Sequence, residues 1–118
     1  MSDNLPILDL PEALHRSLGD VEFLQMMMDE FQKCIPDFVN RLETALRDQD
    51  LETLGRDAHQ FKGAAANLGV KSVAAVAFEL ETMGKNGDNT NAAPTLTRLK
   101  TEIEKFKHQL AQIDWSSL

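Results

Sequence analysis

The stretch DLETLGRDAHQFKGAAANLG, residues 50–69, decides how this chain is to be read. At about 3.6 residues per turn, Leu51, Leu54, Ala58, Phe61, Ala65 and Leu68 recur at spacings of three and four and share one apolar stripe. The pattern predicts an amphipathic helix capped by Asp50 and stopped by Gly69. His59 falls roughly 140° from the middle of that stripe, at about 100° per residue, and is expected to face water. Gly55, Gly63 and Ala66 stand four before, four after and seven after it, so nothing bulky is expected beside the imidazole.

Glycine in a helix interior costs roughly 1 kcal/mol relative to alanine. Two glycines on one exposed face therefore oppose the helix that contains them and need another use. The use expected here is access: a bare helical patch lets another molecule's backbone approach while a single imidazole projects into it. Arg56 and Lys62, three residues either side of His59, lie within one helical turn and would bring positive charge to the patch. A nucleophilic or phosphate-carrying histidine fits such surroundings.

On either side of this stretch the chain continues to read as helix. Toward the N-terminus, Asp20 is a cap for a long helix in which Leu24, Met27 or Met28, Phe31, Ile35, Phe38, Leu42 and Leu46 hold one phase. Pro36 interrupts that run; the unbroken phase predicts a bend there rather than a break. At least one of Met26, Met27 and Met28 must face away from the core, and Cys34 is expected to be a packed thiol. A short first helix from Asp9 or Leu10 to Leu18 is predicted, with Pro11 in its first turn, Gly19 after its end and Ile7, Leu10, Leu14 and Leu18 buried as it caps the bundle. Residues 1–6 read as a ragged terminus.

Toward the C-terminus, Gly69 and Val70 leave so short a turn that the next helix, from about Lys71 to Met83 with Val73, Val76, Ala77, Leu80 and Met83 inward, must be an antiparallel neighbour. That arrangement would bring Glu81 toward His59. Residues 84–91, with Asn86-Gly87-Asp88-Asn89, read as a polar loop. Thr90 or Asn91 then caps a last helix with Pro94 in its first turn and Leu96, Leu99, Ile103, Phe106, Leu110 and Ile113 inward, after which Trp115 packs the chain end. The fold class is all-α: an antiparallel up-down-up-down four-helix bundle with a short extra N-terminal helix. Residues 1–118 are read as a single domain, expected to be a stand-alone module, with a domain of a larger protein expressed alone as the alternative.

Composition narrows the function. The chain has 118 residues, 42% of them hydrophobic, and a net charge of −7 without any basic stripe, which argues against nucleic-acid binding. No signal peptide and no membrane-spanning run is present, so a cytoplasmic location is expected. One cysteine excludes an internal disulfide, and His15, His59 and His108 do not have the spacing of a zinc site, so no metal site is expected. No Gly-rich phosphate loop or kinase-type glycine loop occurs, so the chain is expected to lack an ATP site or kinase activity of its own. The apolar stripes are narrow enough to be satisfied within one bundle, and a monomer is expected.

The run Ala58-His59-Gln60-Phe61-Lys62-Gly63-Ala64, followed by Asn67-Leu68-Gly69, resembles the signature of histidine-containing phosphotransfer (HPt) domains: a histidine, lysine at the third place after it, glycine at the fourth, a small residue at the fifth and a later Leu-Gly. The resemblance implies a phosphorelay protein in which His59 accepts a phosphoryl group from a receiver-domain aspartate and passes it to another. Lys62 would screen the phosphoryl oxygens, and Gly63 would let the receiver's loops close over the ring. Arg56, Gln60, Gly55 and Ala66 would belong to the docking face. The Leu80-Glu81 pair matches a Leu-Glu pair often found in that family, making Glu81 a candidate to orient the imidazole. The implied partners are receiver domains of response regulators or of a hybrid sensor histidine kinase; the chain needs no cofactor of its own, and the Mg²⁺ belongs to the receiver. The alternative is a non-phosphorylated helical adaptor that binds a partner through the same face.

Overall fold

The computed structural model describes residues 6–118. Five helices follow in order: α1 (Leu10–Arg16), α2 (Val21–Arg47), α3 (Leu51–Asn67), α4 (Lys71–Asn86) and α5 (Ala92–Ala111), with a 3₁₀ turn at Trp115–Ser117. No strand occurs among the described residues. Helices α2 to α5 pack as a ring, each against the next and α5 back against α2, while α1 lies on one end. Of the ragged terminus expected for residues 1–6, residues 1–5 lie outside the described residues, and Pro6 is exposed without regular structure.

Three of the five helices start on an aspartate cap, whereas α4, preceded by Val70, and α5, preceded by Asn91, have no side-chain cap hydrogen bond. The carboxylates of Asp9, Asp20 and Asp50 accept from the backbone N–H groups of Glu12, Phe23 and Thr53, three residues on, which satisfies donors that a helix start leaves orphaned. The α2 helix runs through Pro36 over 27 residues without a break. Pro36 is exposed, so the carbonyl it leaves unbonded lies on the solvent side, where water can take the bond.

The core is a stack of aromatic rings between α2, α3 and α5. Phe61 stacks on Phe31 with ring centroids 5.7 Å apart and lies 4.9 Å from Phe38, while Phe31 meets the edge of Phe106 at 5.7 Å. Leu54, Ala58 and Ala65 of α3 and Val73, Val76, Ala77 and Leu80 of α4 close the core on the other side. Trp115 is partly buried against this cluster.

Four expectations need correcting. Helix α4 extends past Met83 to Asn86, because Gly84 is accommodated inside the helix and Gly87, at φ 64°, ends it instead; the loop is thus shorter than residues 84–91. Helix α1 ends at Arg16, and Leu18 stands 95% exposed at φ 57° in the turn that follows. Cys34 is exposed, since it lies about 80° from the centre of the narrow α2 stripe at about 100° per residue. The i,i+4 spacing of Glu52 and Arg56 also predicts an ion pair on α3, but Arg56 Nη2 instead donates to Thr53 Oγ1 at 3.5 Å.

Two glycines fix how α3 and α4 meet. Gly69, at φ 74°, makes the turn, and its carbonyl accepts from Asp9 N–H at 2.8 Å, which seats α1 on that end of the bundle. At the other end, α3 and α4 touch backbone to backbone: a Cβ on Gly84 would stand 2.5 Å from Gly55 Cα and N and 2.7 Å from Leu51 O. Gly63, by contrast, has open space where its Cβ would be. We therefore expect Gly84→Ala to destabilise the protein by about 1–3 kcal/mol or more, through overpacking against backbone. Gly63→Ala should instead stabilise it by up to about 1 kcal/mol, through helix propensity. Urea denaturation of the two variants checks both signs.

Candidate functional site

The three-residue turn of Leu68, Gly69 and Val70 sets an antiparallel register in which Gly55 faces Gly84, and His59 and Lys62 face Glu81. Because the two glycines let the helix backbones touch, the Glu81 side chain spans the gap to α3 and is only 2% exposed. His59 Nδ1 lies 3.0 Å from Glu81 Oε2. Lys62 Nζ lies 2.8 Å from Oε1, and Lys85 Nζ lies 2.8 Å from Oε2. One carboxylate thus holds an imidazole and two ammonium groups.

What covers Glu81 is those three side chains rather than apolar interior, so its charge is compensated where it sits. Lys62 foremost, then Lys85 and to a lesser degree His59, hold the Glu81 carboxyl down from 4.5 to about 2, against the opposing pull of burial. A carboxylate in that state only accepts, so Nδ1 of the neutral ring carries the hydrogen and donates it. The lone pair is then on Nε2. His59 is 62% exposed at its side chain, which leaves Nε2 open to an incoming group.

The other residues singled out from the sequence divide into two groups. Gln60, Gly63, Ala66 and Arg56 are exposed on α3 with His59 and form one accessible face. Gly55 does not belong to it: it is buried under α4, and its role is close packing against Gly84 rather than access. The physical reason is its angle, about 90° from the stripe centre at about 100° per residue, which puts it on the flank that α4 covers. Lys62 is drawn inward, 27% exposed, with its ammonium also 5.1 Å from the centre of the Phe78 ring.

Lys85 is the site residue that the sequence reading missed. Its signal was present: Glu81 and Lys85 form an i,i+4 pair with the acid N-terminal, the favoured order. The misplaced helix end at Met83 hid it. A cleft of 680 Å³ opens beside His59, with Gly55, Gly84, Arg56, Lys85 and Glu52 among the residues that line it. His15 and His108 are exposed and stand apart from these contacts. No group of three or more His, Cys, Asp or Glu that could hold a metal ion occurs among the described residues, and no helix among them is long and apolar enough to cross a membrane.

Comparison with known proteins gives two findings. The family model of the Hpt domain matches residues 22–109. Among solved structures, the crystal structure of histidine-containing phosphotransfer protein B (HptB) from Pseudomonas aeruginosa PAO1 is similar with a TM-score of 0.79 and 24% sequence identity, over 92% of this chain and 98% of that one; at this identity the likeness speaks for the fold. No curated protein sequence matches the chain.

The Glu81 cluster carries a pH signature. A carboxyl held below its unfolded value contributes stability that is complete above about 4.5 and is lost as pH falls toward about 2. Glu81→Gln cannot release that proton-linked contribution. We expect the wild type to lose stability more steeply than Glu81→Gln across this window in acid titration followed by circular dichroism. Parallel acid limbs would contradict the ion-pair geometry.

Proposed function

The chain belongs to the Hpt domain family, whose function is histidine phosphotransfer in phosphorelay signalling, and on that premise we propose that His59 is the phosphoryl carrier. The observation that carries the assignment is the 3.0 Å contact between His59 Nδ1 and Glu81 Oε2. It supplies a tautomer and an orientation in which Nε2 is the nucleophile.

The transfer balances without a proton shuttle. Nε2 attacks the phosphorus of an aspartyl phosphate on a receiver domain; the N–P bond forms as the P–O bond to the carboxylate breaks, and the aspartate leaves with the electron pair. The ring becomes an imidazolium while Nδ1 keeps its hydrogen, and Glu81 faces the developing charge. In the second transfer a carboxylate oxygen attacks the phosphorus and the electron pair returns to Nε2. Lys62, tied to Glu81 and to the Phe78 ring, lends positive charge beside the reacting group. Glu81 is in this reading a positioning residue.

Hpt proteins are phosphotransfer carriers rather than kinases, and they interact with receiver domains of response regulators and kinases. We extend this to a chain with no ATP site or catalytic turnover of its own, acting as a monomer in the cytoplasm and binding neither nucleic acid nor membrane. Both oxygens of Glu81 are engaged, so we assign the Mg²⁺ to the receiver. The docking face would be Arg56, Gln60, Gly63 and Ala66, with Gly63 leaving room for the receiver's backbone above the helix.

The test is incubation with a phosphorylated receiver domain beside a His59→Gln control. We expect acid-labile, base-stable label on the wild type alone and closely similar melting of the two proteins, since the ring is largely exposed. Label on His59→Gln would move the carrier role to another residue, and none on the folded wild type would replace the carrier with the adaptor. Gly63→Gln should fold and melt no lower than the wild type but accept label more slowly, and an unchanged rate would remove Gly63 from the docking face.

A further inference from the structure

Two lysines touch Glu81, yet they are held very differently. Lys62 is 27% exposed and pinned from two sides, by Oε1 at 2.8 Å and by the Phe78 ring at 5.1 Å. Lys85 is 68% exposed and has one ion pair, to the same Oε2 that accepts from His59 Nδ1. Of the two ammonium groups, Lys85 is the more loosely held: most of its side chain is in solvent and a single ion pair ties it down.

The space that Lys85 borders is the 680 Å³ cleft beside His59. Among its lining residues Gly55, Gly84 and Gly87 have no side chain to fill it. Cleft and Glu81 cluster together hold Arg56, Lys62 and Lys85 against Glu52 and Glu81, an excess of positive charge in a chain of net charge −7.

We propose that this cleft seats the phosphoryl oxygens once His59 is phosphorylated, and that Lys85, not Lys62, is the ammonium that moves onto them from Glu81. The inference rests on the carrier reading and names the residue that recognises the phosphoryl dianion. A dianion on Nε2 attracts the more loosely held cation. Its departure leaves Oε2 to Nδ1–H, which binds a carboxylate more strongly when the phosphorylated ring is cationic. Lys62 stays behind and keeps Glu81 in place. The two lysines thus divide the work that a single screening lysine would otherwise do.

The experiment uses the full chain with ¹⁵N-labelled lysine, phosphorylated by a phosphorylated receiver domain that is then removed. We expect Lys85→Ala to accept label on His59 but to lose it about two- to fivefold faster than the wild type, as removal of one exposed charge contact implies, with Lys85→Arg restoring the wild-type lifetime. In the wild type the Lys85 Nζ resonance should shift on phosphorylation while that of Lys62 holds. Equal lifetimes of wild type and Lys85→Ala, or a shift at Lys62 alone, would overturn the assignment of Lys85 and leave the carrier intact. No label on the wild type would overturn the carrier and this inference together.

Discussion

The contact between the backbones of Gly55 and Gly84 is the constraint on which the site depends. Helices normally pack 8–10 Å apart, according to the side chains between them. Where neither helix has a side chain, they can come closer, and a Cβ on Gly84 would stand 2.5 Å from Gly55 atoms. That approach brings Glu81, one turn before Gly84, within 3.0 Å of an imidazole on the neighbouring helix. A glutamate has only three rotatable bonds to span the gap. Were the helices pushed apart by a methyl group at Gly84, the carboxylate would lose the ring before it lost the more flexible lysines. The same two glycines line the cleft beside His59 and put no side chain into it. Packing and chemistry are therefore one requirement at this pair of positions.

A carboxylate that is 2% exposed is costly unless its charge is compensated locally. Here the compensation comes from outside the core, from side chains that fold over it. The arrangement has two consequences for transfer. The carboxylate is ionised near neutral pH, so it accepts from Nδ1 and the neutral ring presents the lone pair of Nε2. It also faces the ring nitrogen where positive charge develops, and it does so before the reaction begins. An electrostatic group in place in the resting state does not have to reorganise in the transition state. The exposed ring and the open space above Gly63 then leave the approach of a partner unobstructed.

Much of this was legible in residues 50–69. The stripe Leu54, Ala58, Phe61, Ala65 and Leu68 is buried as its spacing requires, and His59 is exposed opposite it. The caps Asp20 and Asp50 and the turn glycine Gly69 stand where local chemistry puts them. What periodicity misread were positions whose environment comes from a neighbouring helix. Gly55 looked like part of a bare surface because a single helix has no record of what packs on its flank. Gly84 looked like the start of a loop, although in a close helix pair a glycine is a contact and not a stop. That misreading ended α4 one turn early and concealed Lys85. Cys34 and Leu18 failed for a simpler reason: each lies just outside a narrow stripe or a short helix, where one residue of error reverses inside and outside.

The central claim is that Glu81, delivered by the glycine contact, fixes which imidazole nitrogen is free. The most direct measurement is the ¹⁵N spectrum of the His59 ring in the neutral, unphosphorylated protein, where protonated and lone-pair nitrogens differ widely in shift. The account predicts that Nδ1 bears the hydrogen and Nε2 the lone pair, with this preference lost in Glu81→Ala. A ring in which Nε2 bears the hydrogen, or a tautomer ratio unchanged by removing Glu81, would contradict it.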